Sequence, residues 1–303
     1  MKRIDLSQGL GLSREAFDCL VTDIYHASSQ EGCFLLEGHG IPLQLLREAR
    51  QALRHVFALS HEQKMSAKRP CGRYRGYIER TTFADDERDG PPVMYEGFVV
   101  GTEIQPDDPE VQLSDGMFAP NLWPAGAPDI QQSLSDYWQA ITKVSNELLK
   151  PFAVSVGQDT HVFLDYFYCP LSNLVLVHYP ADENSDCMAP KPHTDSSAFT
   201  VLLLDDVAGL ELQRRSGEWE PAPQAGDALL VIVGEMMQAW TGGLYRAAPH
   251  RVRSPRNTNR ATLAYFVSPS YRTMIAPKAG ELDNPIFHFS AGARFKQYVG
   301  EFD

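Results

Sequence analysis

Apolar residues recur with a helical period near the start of the chain. Behind Ser13, which can cap a helix, they fall at i, i+3, i+4, i+7 and i+8 and so share one helix face: Phe17, Leu20, Val21, Ile24 and Tyr25. Gly32 ends this predicted helix, and residues 33–37 read as a short strand. A turn rich in glycine and proline then leads into a second predicted helix over residues 43–57.

The middle of the chain holds a loop-rich region followed by one long helix. Ser60 and Gln63 form a capping box for a further short turn. Residues 68–128 are rich in glycine, proline and charge, with a strand predicted at 93–100, and loops of this length are usually functional or mobile. A single apolar stripe then predicts a helix over residues 128–156.

Short β-rich runs separated by turns dominate the chain after residue 170. The predicted strands are residues 173–179, 199–204, 210–213, 228–233 and 262–267. A closing helix is predicted over residues 285–302. The expected fold class is therefore α+β: a double-stranded β-helix (jelly roll) core with N-terminal helices, a long helix packed on the sheet, and a C-terminal helix.

We expect residues 1–303 to form a single unit with two regions. Residues 1–125 would be a region of helices and loops. Residues 126–303 would hold the long helix and the jelly-roll core that carries the chemistry. The sequence shows no internal repeat of the length typical of solenoids and no low-complexity tract.

Charge and cysteine content narrow the classes of partner. The formal net charge of -12 repels phosphate backbones and anionic membranes, so we expect a small-molecule partner, no nucleic acid and no membrane. The five cysteines lack any CxxC spacing, which argues against a disulfide framework and a thiolate zinc site. The N-terminus turns polar at once, and the longest apolar runs are only strand-length, so a cytoplasmic location is expected.

Three residues form a candidate metal site. His193 and Asp195 are two positions apart, so in an extended segment their side chains project to the same side. His250 follows after several predicted strands, enough to cross a jelly roll and return. Two histidines and one carboxylate make a facial triad, which leaves three positions on an octahedral Fe(II) open for a co-substrate and oxygen. An H-x-D pair alone also occurs in surface turns with a solvated aspartate.

A second candidate pair follows the triad. Arg260 and Thr262 stand at the start of a predicted strand, where alternation places both side chains on one face. A guanidinium beside a hydroxyl is well suited to holding a carboxylate. Taken alone, Arg260 is better explained by pairing with a carboxylate of the core.

Several motifs in a fixed order carry a resemblance to a known enzyme family. Residues 32–42 are similar to a G-F-F-x-[LV]-x-N-H-G-[IV]-P segment, and residues 75–77 with 96–98 to an R-G-Y…E-x-F region. The match continues from the H-x-D pair through Gly226-Asp227 to His250-Arg251-Val252. Over nearly its whole length the chain resembles the isopenicillin N synthase-like family of iron(II)/2-oxoglutarate-dependent oxygenases.

The resemblance implies a non-haem Fe(II)/2-oxoglutarate-dependent dioxygenase, an oxidoreductase that uses O2 on a small molecule of secondary metabolism. The implied iron ligands, which carry the catalysis, are His193, Asp195 and His250. The implied 2-oxoglutarate contacts are Arg260, Thr262 and Tyr179. Hydroxylation is the expected outcome, with desaturation and ring closure left open, and the intact aspartate disfavours halogenation.

The chain departs from the family pattern at several points. Val177 replaces the usual asparagine of N-Y-Y-P, which removes one polar contact to the co-substrate. Thr262 replaces the more usual serine and keeps its hydroxyl, and Gly234-Glu235 stands where the family has G-D. None of these changes affects the proposed ligands.

Other readings remain open at the level of sequence. One is a 2-oxoglutarate-independent Fe(II) oxidase of the same fold, in which the Arg/Thr pair holds the carboxylate of an amino-acid or peptide substrate. Another is a non-catalytic jelly-roll binding module. A zinc hydrolase is more distant, because no general-base glutamate stands at a recognisable spacing. The sequence leaves the oligomeric state and the substrate undetermined.

Overall fold

A computed structural model describes most of the chain: residues 1–9, 13–82, 94–114, 117–181, 192–253, 257–277 and 289–300. The first predicted helix is confirmed as α1, Arg14–Gln30, and the Ser13 hydroxyl accepts the Ala16 amide at its N-terminus. Just beyond it, Gly32 has φ +73°, a conformation that favours glycine.

The remaining helices follow the predicted order, with additional short ones. The second and the long helix are confirmed as α2 and α5, and the Ser60–Gln63 capping box starts α3. The helices after α1 are α2 Leu43–Ala58, α3 His61–Ser66, α4 Pro109–Leu113, α5 Pro128–Ser155, α6 Thr160–Asp165, α7 Glu235–Trp240 and α8 Ala291–Gly300. Among the described residues, no helix combines the length and apolar character needed to cross a bilayer.

Thirteen strands are present in the described part of the chain. They are β1 Arg3–Asp5, β2 Cys33–Glu37, β3 Gly76–Thr82, β4 Met94–Gly101, β5 Asn173–Tyr179, β6 Phe199–Leu203, β7 Leu210–Gln213, β8 Trp219–Pro221, β9 Leu229–Val233, β10 His250–Val252, β11 Arg260–Val267, β12 Met274–Ile275 and β13 Phe289–Ser290. All five strands predicted after residue 170 are confirmed within one or two residues at each end.

Eleven of these strands form a large and a small sheet, as expected for a jelly roll, and β12 and β13 pair separately. The large sheet has the order β1-β2-β9-β6-β11-β5-β4-β3, and the small one β10-β7-β8. Helices α1, α2 and α5 cover the outer face of the large sheet, where residues such as Leu176 and Leu263 are buried. The inner face contributes alternate residues, including Val175 and Ala264, to a second cluster shared with the small sheet. The expected fold class is confirmed.

The predicted division at residue 125 stays a prediction, although the large sheet draws strands from both sides of it. Two details of the sequence prediction were incomplete. In the region 68–128 the strand predicted at 93–100 is confirmed as β4, but its partner β3 was not predicted. The closing helix begins at Ala291, after β13, and the predicted residues 285–288 and 301–302 lie outside the described residues.

A buried carboxylate joins the large sheet to the N-terminal helices. Glu96 is only 5% exposed and accepts hydrogen bonds from Lys64 Nζ (2.9 Å), the Tyr77 hydroxyl (2.6 Å) and His178 Nδ1 (2.8 Å). Burial alone would raise the pKa of Glu96, but these three hydrogen bonds outweigh it and lower the pKa to about 2. The carboxylate is therefore ionised and fully paired in the folded protein.

Replacing Glu96 by glutamine should destabilise the fold in a pH-dependent way. Because the pKa falls from 4.5 to about 2 on folding, ionised Glu96 contributes about 3 kcal/mol above pH 4.5. That contribution is lost as pH falls toward 2. Urea unfolding of the wild type and Glu96→Gln should differ most at pH 7 and progressively less down to pH 3. Glu79→Gln, at an exposed ion pair with Lys68, should change little; a constant difference across pH would contradict the assignment.

Candidate metal centre

Reciprocal backbone hydrogen bonds bring the two predicted histidine ligands together. The His193 amide donates to the His250 carbonyl at 3.0 Å, and the His250 amide donates back to the His193 carbonyl at 2.9 Å. This bridge extends the small sheet beside β10 and sets the imidazole centroids 4.3 Å apart. His250 is buried, whereas the His193 side chain is 38% exposed.

Asp195 completes the group. Its Oδ1 lies 3.9 Å from Nε2 of His193 and 3.5 Å from Nε2 of His250. One ligand atom from each of the three residues lies within 4.8 Å of the others, and within the described ranges no other trio of His, Cys, Asp or Glu side chains meets this condition. Two imidazoles and one carboxylate at this spacing fit a divalent ion with open coordination positions.

The hydrogen bond at Nδ1 of His250 also suits a metal ligand. Its Nδ1 lies 3.1 Å from the Ala248 carbonyl oxygen. A carbonyl can only accept, so Nδ1 carries the proton and Nε2 presents its lone pair toward Asp195. Such a contact fixes both the tautomer and the ring orientation of a metal-binding histidine.

Backbone contacts hold the Asp195 loop against the start of α7. The Glu235 amide donates to the Asp195 carbonyl at 2.8 Å, and the Met236 amide to the Ser197 carbonyl at 3.1 Å. Gly234 permits this approach, because a Cβ there would lie 2.2 Å from the Ser197 carbonyl oxygen. The glycine of Gly234-Glu235 therefore acts through close packing rather than through an unusual φ.

A side-chain network connects this loop to the C-terminal helix. Thr194, between the first two ligands, donates to Glu235 Oε1 at 2.6 Å. Arg294 of α8 donates to Glu235 Oε2 from Nε at 3.0 Å and also from Nη2. In the sequence, Glu235 stood out only as a departure from G-D, and that departure was the available signal for a contact beside the ligands.

Thr200 is a further residue beside the ligands that was not predicted from the sequence. Its hydroxyl donates to Asp195 Oδ2 at 2.5 Å and lies 3.2 Å from the Ser197 hydroxyl, and both threonine and aspartate are buried. The bond leaves Oδ1 of Asp195, the oxygen nearer the histidines, directed at the ion position. The only sequence signal for Thr200 is a hydroxyl five positions beyond the aspartate, at the start of β6.

Thr200→Val should weaken Fe(II) binding by about 10-fold, because a near-isosteric side chain would remove the donor that orients Asp195. An anaerobic Fe(II) titration measures the effect. The matched control is Thr142→Val, which removes a hydroxyl 2.9 Å from the Tyr265 hydroxyl, on the outer face of the sheet. Equal Fe(II) affinity in both variants would argue against an orienting role for Thr200.

The predicted co-substrate residues converge on the inner face of the large sheet. Arg260 and Tyr179 are register partners between β11 and β5, and Thr262 pairs with Val177. The Arg260 guanidinium carbon lies 5.4 Å from the centre of the Tyr179 ring. Burial raises the pKa of Tyr179 to about 12, so the phenol is neutral and able to donate near pH 7.

Arg260 and Thr262 carry polar atoms that the described residues leave without a partner. Nε and Nη1 of Arg260 and the Thr262 hydroxyl are buried and make no hydrogen bond to the described part of the chain. Arg260 is 2% exposed, and burial lowers its pKa. A buried guanidinium without an acceptor is unfavourable, so this part of the inner face fits a ligand carboxylate.

Three of the other histidines that the structure describes make local polar contacts. His39 accepts the Ile41 amide at Nδ1, which leaves the proton on Nε2 to donate to the Asp227 carbonyl at 2.9 Å. His178 binds Glu96, and His55 pairs with Asp129. His288 lies outside the described residues. Both ring nitrogens of His39 are therefore occupied by backbone groups.

Two family models match the chain, and together they cover most of it. The description "2OG-Fe(II) oxygenase superfamily" matches residues 170–269, which include all six predicted site residues. The description "non-haem dioxygenase in morphine synthesis N-terminal" matches residues 2–126.

Individual proteins similar to this chain are also oxygenases of this kind. Clavatol oxidase of Penicillium crustosum is 30% identical over 267 residues, covering 82% of this chain and 79% of its own. A 2-oxoglutarate-dependent dioxygenase of Monascus ruber is 32% identical over 261 residues, covering 82% and 78%. The crystal structure of a full-length Neurospora crassa protein in complex with alpha-KG superposes with a TM-score of 0.83 at 20% identity, over 98% and 95% of the two chains, and so supports the fold.

The chain belongs to the 2OG-Fe(II) oxygenase superfamily. It is accordingly an oxidoreductase of the 2-oxoglutarate-dependent dioxygenase class, with Fe(II) as its metal and 2-oxoglutarate as co-substrate. The narrower assignment to the isopenicillin N synthase-like branch stays a prediction.

Proposed function

We propose that this dioxygenase hydroxylates an unactivated carbon of a small-molecule metabolite. The convergence of His193, Asp195 and His250 within 4.8 Å carries the proposal. When bound, Fe(II) with 2-oxoglutarate and O2 supplies the oxidation of a C–H bond while 2-oxoglutarate is converted to succinate and CO2.

Each residue has a role that its contacts support. The three triad residues hold Fe(II), with Thr200 and the Ala248 carbonyl fixing the orientation of Asp195 and His250. The buried polar atoms of Arg260 and Thr262 take the distal carboxylate of 2-oxoglutarate, and the neutral Tyr179 phenol donates to it.

Small-molecule metabolites, as in secondary metabolism, are the substrates most consistent with the relatives. A similar soybean protein is named as a homoarginine-6-hydroxylase, and the clavatol oxidase is named for a small molecule as well. The structure of the Neurospora protein has also been determined with thymine. A cytoplasmic location is part of the proposal, supported by free thiols at Cys19, Cys33, Cys71 and Cys169.

Anaerobic addition of Fe(II) and 2-oxoglutarate tests the proposal directly. We expect a weak visible charge-transfer band in the wild type and none in His193→Ala. His161→Ala, an exposed histidine on α6, should retain the band. Absence of the band in the wild type, or its persistence in His193→Ala, would contradict the assignment of the metal centre.

Succinate release upon aeration distinguishes a 2-oxoglutarate-dependent dioxygenase from a 2-oxoglutarate-independent oxidase of the same fold. A 2-oxoglutarate-independent oxidase would consume O2 without forming succinate, and its substrate carboxylate would compete for Arg260. We expect succinate in proportion to the substrate oxidised, and O2 consumption without succinate would favour the oxidase.

A further inference from the structure

A second buried arginine with an incomplete set of partners lies at one end of the inner face. Arg75 is 1% exposed, and its Nη1 donates to the Tyr74 carbonyl (2.6 Å) and to Asn173 Oδ1 (2.5 Å). Its Nε and Nη2 are buried and have no hydrogen-bond partner among the described residues. These two atoms form the edge of a guanidinium that makes paired, side-on bonds to a carboxylate.

The surroundings fix the orientation of this guanidinium. A Cβ at Gly101 would lie 2.1 Å from Cζ, Nε and Nη2 of Arg75, so the guanidinium is packed closely against the Gly101 backbone. The Asn173 amide donates to the Leu171 carbonyl at 2.6 Å, which turns its oxygen toward Nη1. Nη1 is thus fully occupied, whereas Nε and Nη2 make no hydrogen bond to the described residues.

Strand register places Arg75 at the same end of the barrel as the metal centre. Gly101 pairs with Asn173 and Asn173 with Phe266, at the ends of β4, β5 and β11. The next residue of β11, Val267, accepts from the Ala198 amide in the loop that follows Asp195. Asn173 alternates with Val175 and Tyr179, which belong to the inner cluster, so it projects into the barrel.

The charge of Arg75 and the apolar contacts beside it indicate which chemical group of a ligand would bind there. Burial lowers the pKa of Arg75 to about 10, which still leaves it charged at pH 7. Within the described ranges Arg75 forms no ion pair, and nearby Glu103 is bonded to Asn121 Nδ2. The adjacent Tyr74 stacks edge-on against Phe295 of α8 at 5.5 Å. A single cation beside aromatic rings suits one carboxylate on an apolar body.

We infer that Arg75 binds a carboxylate of the primary substrate, at a site distinct from the 2-oxoglutarate contacts at Arg260. The inference rests on the proposed function, because it assigns the substrate class of the same active site: a monocarboxylic acid with an apolar or aromatic body. Arg75 would then determine specificity, fixing the acid end of the substrate while the remainder extends toward the metal centre.

A panel of paired ligands tests the inference by binding rather than turnover. The probes are benzoate, phenylacetate, cinnamate, hexanoate, octanoate and decanoate, each paired with its primary amide. Thermal-shift screening of the anaerobic enzyme with Fe(II) and 2-oxoglutarate identifies ligands, and calorimetry gives their Kd values. We expect the acids that bind to do so at least about 10-fold more tightly than their amides. Absence of any acid-selective ligand in the panel overturns the inference.

Variants of Arg75 distinguish carboxylate recognition from a purely structural role of this residue. Arg75→Met should weaken acid binding by about 30-fold or more while changing amide binding little, so that the acid-to-amide ratio collapses. Arg75→Lys keeps a cation without the paired edge and should give an intermediate ratio. Arg246→Lys, at a structural arginine bonded to the Glu31 and Gln213 carbonyls, should leave the ratio unchanged. A purely structural role would weaken acids and amides equally, and this result would also overturn the inference.

The visible band of the Fe(II)–2-oxoglutarate complex tests the proposed function separately from the role of Arg75. A wild-type enzyme that forms the band but shows no acid preference leaves the proposed function intact and removes the role of Arg75. Failure to form the band contradicts the proposed function whatever the ligand panel shows. If Arg75→Met does not fold, the ratio in Arg75→Lys and in the wild type still decides the inference.

Discussion

Asp195→Asn is expected to reduce both Fe(II) affinity and turnover by more than about 100-fold. Removing a group that merely orients a metal ligand costs about 10–100-fold, so removing the ligand charge itself should exceed that range. Asp195 supplies the negative charge of the triad, is 5% exposed, and its Oδ1 lies 3.9 and 3.5 Å from Nε2 of the two imidazoles. Anaerobic Fe(II) titration and succinate release measure the two effects.

The matched control is Asp129→Asn, which removes a carboxylate 3.1 Å from His55 on the helical side of the molecule. This variant should bind Fe(II) like the wild type. Asparagine is nearly isosteric with aspartate, so circular dichroism of Asp195→Asn should show an intact fold. Full Fe(II) affinity in a folded Asp195→Asn protein would exclude Asp195 as a ligand.

Arg260→Met is expected to raise the Kd for 2-oxoglutarate by roughly 100-fold, or about 3 kcal/mol, the loss typical of truncating one partner of a buried charge pair. The Nε and Nη1 atoms of Arg260 have no acceptor in the described part of the chain, so the contact removed is to the ligand. Titration of 2-oxoglutarate into the anaerobic Fe(II) enzyme, followed by the visible band, gives the Kd.

Fe(II) affinity should persist in Arg260→Met, because the guanidinium is not a metal ligand. Arg50→Met is the control: Arg50 donates to the Gly226 carbonyl at 2.7 Å, and its loss should leave 2-oxoglutarate binding unchanged. An unaltered Kd in Arg260→Met would move the co-substrate carboxylate to another part of the inner face.

Strong local periodicity explains which elements were predictable. The stripe along α5 and the capping serine of α1 each determine an element locally, and both helices formed where expected. Strands β1 and β10 have only three residues each and exist because longer neighbours pair with them. Strand β3 follows the buried Arg75, in a region whose glycine, proline and charge content predicted loops.

The convergence of the three candidate metal ligands was predictable because their types and order are specific, whereas the groups around them were not predictable. Nothing in the sequence aligns Thr200 with Asp195, since the bend between them depends on contacts with the start of α7. The link from Thr194 through Glu235 to Arg294 joins three distant parts of the chain. Such contacts are set by tertiary packing and leave no local pattern.

The reciprocal bridge between His193 and His250 has a consequence for metal selection in the cell. Main-chain hydrogen bonds hold these two candidate ligands side by side, so the backbone sets their spacing. A site of imidazole and carboxylate follows the Irving–Williams order and accepts Co²⁺ or Ni²⁺ at least as readily as Fe²⁺. Correct loading therefore depends on the supply of iron, and contaminating cobalt or nickel should act as competitive poisons that chelation and re-addition of iron reverse.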